Sequence, residues 1–343
     1  MFKKLEVNLK YISLIILIIQ NSFTVFVIRY SKTLPDKYLT STAVVCSEFI
    51  KLITSLFVHI YLRIYEAEPG TYNIKILLNE LFGKESECLK VIIPAVLYLL
   101  QNNLIYYSAS KLDAATFQIT YQMKLIMTAI FSVLILKRRI YRHQWISIFL
   151  LAFGIALVQF PTGDSKSLSI EDENAALDKV FGFLSVIVAC LSSGLAGVYF
   201  EKILKKSKVT LWARNVQLSL CSIIFGLIFG CLLIDGNAIK ENGFFGGYTR
   251  WTILAILCQS FGGIIVSLVV KYADNILKGF ANSISIILSC AISYLFFDFN
   301  ITIIFIIGCI MVLYSTYLYS KPSKENIDTK YSELTLLPLK EEV

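Results

Sequence analysis

Residues Ala114–Leu136 read AATFQITYQMKLIMTAIFSVLIL, and this stretch decides the fold class. It is long enough for an α-helix to cross a hydrocarbon core of ~30 Å, which takes ~20 predominantly apolar residues, and its one charged side chain is Lys124. Working outward, comparable blocks run over Leu9–Ile28, Leu39–Ile64, Leu89–Ser110, Gln144–Phe160, Val180–Leu204, Leu211–Ile234, Trp251–Val270, Leu277–Phe297 and Ile301–Tyr319. The expected fold is an all-α membrane protein of ten transmembrane helices. Composition agrees: the chain has 343 residues, 56% hydrophobic and 16% charged, with a mean hydropathy of +0.69, where soluble domains carry roughly 25% charged residues. A soluble enzyme is excluded, and ten spans leave no room for a sizeable soluble domain. Leu9–Ile28 is longer than a signal-peptide core and lacks a small-residue cleavage site, so it reads as a retained span.

The formal net charge of +8 reads as membrane orientation rather than nucleic-acid binding, because the excess Lys and Arg sit at the ends of apolar blocks. Lys137, Arg138, Arg139 and Arg142 after the fourth span, and Lys202, Lys205, Lys206 and Lys208 after the sixth, fall on the same side as Lys3, Lys4 and Lys10. The 161–179 loop, with Asp164, Glu171, Asp172, Glu173 and Asp178, and the 234–250 loop fall on the other. Both termini are therefore expected in the cytosol, although Arg29, Lys32 and Lys37 of the first loop dissent. Dividing at the acidic loop gives an N-terminal five-helix half, 1–160, a lumenal linker, 161–179, a C-terminal five-helix half, 180–319, and a mobile cytosolic tail, 320–343. An odd number of spans per half makes the second half enter from the opposite face, an inverted repeat. Asn300-Ile301-Thr302 fits the glycosylation pattern but lies close to the bilayer.

The eight cysteines, all but Cys88 within apolar blocks and none in a CxxC pair, point to packing rather than zinc or disulfides. With only His59 and His143, and no Walker loop, HExxH or GxSxG, no metal or cofactor is expected, and ATP-driven transport and the common hydrolase mechanisms lack support.

Polar groups inside the spans carry the chemistry. A Lys at mid-membrane costs about 2.5–3.5 kcal/mol on insertion scales, so one kept there faces a cavity, a partner or a substrate. Phe117, Tyr121 and Lys124 follow i, i+4, i+7 spacing, which puts two aromatics and a cation on one helix face, suited to a flat base and a phosphate. The competing reading is an internal ion pair of Lys124 with Glu48 or Glu201. Gln101-Asn102-Asn103 are adjacent amides that cannot share a face, so at least one, Asn102 by our assignment, points inward to a pyrimidine edge or to a neighbouring helix. Glu48 and Lys51 lie one turn apart, as a substrate-gating pair or a self-neutralising one. In the second half, small and polar stripes run along Ser193-Gly197-Glu201, Asn215-Ser219-Ser222-Gly226, Ser260-Gly263-Ser267-Lys271 and Lys278-Asn282-Ser285-Ser289. Lys271 is a second phosphate candidate or a snorkelling helix-end lysine. Lysines, amides and aromatics with few acids fit an anionic solute that has an aromatic part.

Four stretches resemble the nucleotide-sugar transporters of the drug/metabolite transporter superfamily: Gln101-Asn102-Asn103, LDAATFQITYQMK at 112–124, SGLAGVYFEK at 193–202 and KYADNILKGF at 271–280. The likeness runs from about Leu9 to Tyr319. It implies a ten-helix Golgi antiporter that imports a nucleotide sugar for lumenal glycosyltransferases in exchange for the nucleoside monophosphate. By the same resemblance, nucleotide contacts fall on Lys51, Gln101, Asn102, the stretch Phe117 to Lys124 including Thr120 and Tyr121, Ser193, Asn215 and Lys271. Phe117 and Ser219 stand where CMP-sugar carriers have Tyr. The Ala273 and Asn282–Ile286 variants resemble the UDP-sugar branch, and Leu9-Lys10-Tyr11 with Arg29–Leu34 is most similar to UDP-N-acetylglucosamine carriers, with UDP-galactose the rival cargo and CMP-sialic acid a further one. The implied ligands are thus a UDP-sugar and UMP, in a Golgi bilayer. A membrane-embedded enzyme acting on phosphate-linked sugars, and a scaffold that recruits glycosyltransferases or a second copy, are the readings from other classes.

Overall fold

A computed structural model describes residues 2–33, 38–66, 73–112, 114–158, 173–206, 209–296 and 302–321. The expectations placed on most of the 161–179 linker, on Asn300 and on the tail beyond 321 lie outside the described residues. The order is α1 (Phe2–Thr33), α2 (Thr40–Glu66), α3 (Ile74–Phe82), a 3₁₀ turn (Lys84–Ser86), α4 (Leu89–Lys111), α5 (Ala114–Tyr121), α6 (Met123–Leu136), α7 (Arg142–Val158), α8 (Glu173–Lys206), α9 (Leu211–Phe225), a π-helical stretch (Gly226–Ile234), α10 (Gly236–Asn242), α11 (Arg250–Tyr272), α12 (Asn275–Phe296) and α13 (Ile303–Ser320). Among the described residues the fold is all-helical.

Six helices are long and apolar enough to cross a membrane: Leu9–Ile28, Thr40–Tyr65, Lys179–Lys206, Leu211–Ile234, Arg250–Tyr272 and Ile303–Ser320. Shorter apolar segments occupy Leu89–Ile105, Met123–Leu136, Arg142–Val158 and Asn275–Ala291. The stretch Ala114–Leu136 is not one rod. Gln122, at φ −66° and ψ −16°, accepts Leu125 N–H three residues on at 3.1 Å, a 3₁₀-type turn that separates α5 from α6.

Side-chain caps fix where several helices begin. The Asn73 carbonyl oxygen accepts from Lys75 N–H and Ile76 N–H at 3.0 and 3.1 Å, and Thr210 Oγ1 accepts from Ala213 N–H at 3.2 Å. Thr249 and Thr252 close a reciprocal box at the start of α11. Polarity is inverted relative to a soluble protein. Ile19, Phe57, Phe153, Leu232 and Ile310 are each at least 60% exposed, whereas Ser55, His59, Glu201, Arg214, Asn215 and Gln217 are buried. An apolar exterior around a polar interior is what a hydrocarbon solvent selects.

Helices before residue 159 pack chiefly on helices after 172. α1 lies on α11 and α12, α2 on α9 and α11, α4 on α8, α6 on α8, and α7 on α13. Apolar clusters seal these contacts: Ile148, Leu151 and Ile155 of α7 meet Val312 and Tyr319 of α13, Leu17 of α1 meets Val269 and Ala281, and Leu56 and Ile60 of α2 meet Ala213 and Val216 of α9. The antiparallel α2–α9 contact sets the long axis. The start of α9 at Thr210 and the α11–α12 turn lie at one end, with Arg138, and Thr40, Ile234 and Asp235 lie at the other.

Candidate functional site

Between α2, α4, α8, α9, α11 and α12 lies a cavity of about 490 Å³. Its charged lining is Glu48, Lys51 and Lys278, and its amides are Asn102, Gln259 and Asn275. Past Asn102, Leu99 and Phe225 it continues into a second chamber of about 550 Å³, which Ser41, Phe229 and Asp235 line at the end away from Arg138.

Lys51 and Glu48, one turn apart on α2, form the expected pair at 2.6 Å, with Lys51 6% exposed. The pair neutralises most of Lys51's charge. Gly263 of α11 makes room for it: a Cβ there would stand 2.9 Å from Lys51 Cδ, closer than real Cβ contacts allow. The three adjacent amides of α4 diverge as helical geometry requires. Asn102 faces the cavity, Gln101 is buried and donates to Tyr121 OH at 3.4 Å, and Asn103 donates to its own helix at Leu99 O at 2.9 Å while lining the second chamber. On α9, Asn215 Oδ1 accepts from Ser267 Oγ at 2.6 Å. Asn215 Nδ2 and Ser219 Oγ are buried and, among the described residues, have no hydrogen-bond partner. Neither residue lines the cavity, so both stand as unsatisfied buried groups within the α9 packing.

The aromatic face of α5 and α6 forms as the spacing implies. The Phe117 and Tyr121 rings stack at 5.7 Å with 9° between planes, and Lys124 Nζ sits 4.0 Å from the Tyr121 ring centroid. Lys124 thus leans on an aromatic face, and the two carboxylates that could have paired with it are otherwise engaged: Glu48 holds Lys51, and Glu201 accepts from Lys205 at 2.7 Å. Thr120 is buried with its carbonyl 3.8 Å from Cys190 Sγ, and Ser193 is half-buried on α8. Neither residue walls the cavity.

Lys271 and the cavity are separate. Lys271 ends α11 and lines another recess, of about 610 Å³, with Lys205, Thr210, Trp212 and Tyr272. The cation that reaches the cavity from this part of the chain is Lys278, in the first turn and a half of α12. α12 packs on α6, the helix that carries Lys124, and on α8, the helix that carries Glu201. The stripe Lys278-Asn282-Ser285-Ser289 carried this signal in the sequence. A lysine in the last turn of a helix, like Lys271, has the dipole and the interface to satisfy it, whereas one inside a helix start does not.

At the Arg138 end the bundle is tied shut. Arg138, just beyond α6, meets Asp274 in the α11–α12 turn at 2.8 Å, with Asp274 4% exposed. Burial disfavours the Arg138 charge, but Asp274 more than offsets this and holds its pKa above the ordinary value. Asp274 Oδ1 also accepts from Leu277 N–H at 2.7 Å. Beside it Glu201, 2% exposed, accepts from Asn275 N–H at 2.9 Å, and Lys205 donates to Ala273 O at 2.6 Å. These bonds join α6, α8, α11 and α12 across the cavity floor. Sequence reading anticipated Glu201 as a charge-pairing residue but missed Arg138 and Asp274, which are far apart in the chain and ordinary in their local context.

Comparison with known proteins places this architecture. The chain is 48% identical over 329 residues to a UDP-N-acetylglucosamine/UDP-N-acetylgalactosamine transporter of Caenorhabditis elegans, covering 92% of this chain and 95% of the relative. It is 45% identical to the UDP-N-acetylglucosamine transporter of Rattus norvegicus, covering 93% of this chain and 98% of the relative. It is 46% identical to the UDP-galactose transporter of Schizosaccharomyces pombe, covering 93% of this chain and 90% of the relative. A solved crystal structure with 10% sequence identity superposes with a TM-score of 0.58, covering 91% of this chain and 97% of that one, and shows the same fold. The nucleotide-sugar transporter family model matches residues 5–320. With an all-helical bundle, apolar helices of membrane-crossing length and a lysine- and amide-lined cavity, the chain belongs to the nucleotide-sugar transporter family, whose members are transporters and not enzymes.

Proposed function

We propose that this protein is a Golgi antiporter that brings a UDP-sugar, with UDP-N-acetylglucosamine favoured, into the lumen in exchange for UMP. The observation that carries the reading is Lys278 on the wall of a cavity that also offers Asn102, Gln259 and Asn275, with Lys124 on α6, a helix packed against α12. Positive charge in a low dielectric is costly, and an anion beside it relieves the cost. A diphosphate supplies that anion and a uridine supplies the edge for the amides. Lys51, already matched by Glu48, becomes available when a phosphate competes for it. The stacked Phe117 and Tyr121 support Lys124 from behind.

The ten apolar segments read as ten crossings in two inverted halves, 1–160 and 180–319, and the packing supports this. If span k of the first half corresponds to span k + 5 of the second, the α4–α8 and α1–α11 contacts exchange with each other, as do α6–α8 and α1–α12. The α2–α9 and α7–α13 contacts map onto themselves under the same exchange. Rocking of such halves about a shared cavity gives alternating access. The tie through Arg138, Asp274, Glu201 and Lys205 then closes the cytosolic side, and the chamber at Ser41 and Asp235 leads to the lumen, with both termini cytosolic. A loaded carrier changes sides more readily than an unloaded one because only the anion cancels the positive charge of Lys278, so exchange is favoured over leak. UDP-galactose stands as the second cargo, given the similarity to the yeast carrier. The cargo feeds lumenal glycosyltransferases.

The test is a competition panel in reconstituted vesicles, with UMP-driven uptake of UDP-N-acetylglucosamine measured against UDP-galactose and CMP-sialic acid. The reading expects UMP-dependent uptake, strongest inhibition by UDP-N-acetylglucosamine and least by CMP-sialic acid. Uptake that ignores UMP inside the vesicle overturns antiport, and preference for the CMP-sugar overturns the branch.

A further inference from the structure

The recess beneath Lys271 is not part of the cargo cavity, and its chemistry is distinct. It lies where α2, α8 and α11 end and α9 begins, and it holds about 610 Å³ between Lys205, Thr210, Trp212, Lys271 and Tyr272, with Leu62 and Leu268 on its apolar side. Lys271 Nζ stands 5.8 Å from the Tyr272 ring and, among the described residues, has no ion-pair partner. Lys205 is held by Glu201 on one side yet remains 35% exposed toward the recess. Its floor is the start of α9, whose first amides add a positive helix end to the two lysines. The rim belongs to the hydrocarbon: Tyr61, Ile64 and Tyr65 at the end of α2 are exposed. Trp and Tyr beside Lys at the end of apolar helices is interfacial chemistry.

A ligand for this place needs a phosphate for the two cations and acyl chains to lie along Leu62 and Leu268. We infer that the recess binds the phosphate headgroup of an anionic phospholipid from the leaflet on the basic side of the protein. Basic pockets between helices at that level suit such headgroups, and each lysine near the surface contributes about 1 kcal/mol. A soluble nucleotide offers the same phosphate but nothing to cover the apolar side. The inference does not depend on the cargo or on the direction of transport.

Titration of the full-length, delipidated protein by native mass spectrometry tests it. The probes are phosphatidylserine and phosphatidylinositol 4-phosphate, with phosphatidylcholine as the neutral control and UMP as the soluble phosphate. The expected result is anionic lipid bound at least tenfold tighter than phosphatidylcholine. Lys271→Gln should weaken that binding about fivefold, the equivalent of ~1 kcal/mol, while Lys271→Arg restores it and phosphatidylcholine binding stays unchanged. Trp212→Phe, which keeps both cations, reports on the fold of the recess and should retain the anionic preference. Equal affinity for neutral and anionic lipid, full anionic binding by Lys271→Gln, or displacement of the lipid by UMP would each overturn the assignment, the last by giving the recess to the cargo.

Discussion

Replacing Arg138 with Gln removes one half of the tie at the basic end and leaves Asp274 where it is. The carboxylate is 4% exposed and sits 2.8 Å from the guanidinium it would lose. Truncating one partner of a fully buried pair costs about 3–5 kcal/mol, because the other charge stays in low dielectric. Arg138 itself is 33% exposed, so solvent screens part of the effect and about 2–3 kcal/mol is the reasonable share. Asp274 still accepts from Leu277 N–H, so the start of α12 is not uncapped. The deficit falls on the closed arrangement and shifts its balance with the open one about 30- to 150-fold. Hydrogen exchange in detergent reads this directly at the Asn275 amide, which bonds Glu201 of α8 across the closure. That amide should exchange faster by that factor, while amides in the α7–α13 contact do not change. Adding Asp274→Asn removes the stranded charge and should bring back much of the protection. Unchanged exchange at the turn in an Arg138→Gln protein that melts normally refutes the idea that this pair holds the end shut.

Gly263→Ala puts a Cβ 2.9 Å from Lys51 Cδ; displacement of Lys51 from Glu48 should weaken UMP binding several-fold in calorimetry, with the melting temperature little altered. Arg214 is fully buried and its Nη1 donates to Ser86 O at 2.7 Å and Gln217 Oε1 at 2.8 Å, tying α9 to the α3–α4 connection. Arg214→Ala should therefore lower stability by about 3 kcal/mol, seen as a lowered melting temperature and poor recovery from detergent. Tyr121→Phe loses only the long 3.4 Å bond from Gln101 and keeps the ring under Lys124, so exchange should stay within about threefold, whereas Tyr121→Ala removes the 4.0 Å cation–ring contact and should reduce exchange tenfold or more.

The sequence made some of this legible and not the rest, for identifiable reasons. Apolar block length is a one-dimensional property, so the helices of the bundle could be read from it. The same holds for contacts within one helix: Glu48 with Lys51 and Phe117 with Tyr121 follow from 3.6-residue spacing and form as expected, and Lys124 meets the Tyr121 ring across the break at Gln122. Of the three adjacent amides Asn102 lines the cavity, but it shares the second chamber with Asn103, so adjacency alone does not single it out. What spacing cannot carry is the azimuth of one helix against another. Lys271 and Lys278 sit on adjacent helices with equally polar stripes, and only the packing of α11 and α12 sends the first to the interface recess and the second to the cavity. Arg138 and Asp274 are 136 residues apart in the chain by their numbers and meet only because the α6 end and the α11–α12 turn close on each other. The break at Gln122 was equally hidden, since nothing in its residue type forbids a continuous helix.

If Lys278 at the cavity wall takes the phosphate of the cargo, its charge is essential to exchange of the nucleotide alone. Exchange of radiolabelled UMP against internal UMP in proteoliposomes, run for the wild-type protein, Lys278→Gln and Lys278→Arg at matched protein incorporation, asks this with one substrate and no sugar. The account predicts saturable exchange by the wild type, loss of at least tenfold in Lys278→Gln and partial recovery in Lys278→Arg. Near-normal UMP exchange by Lys278→Gln would contradict it.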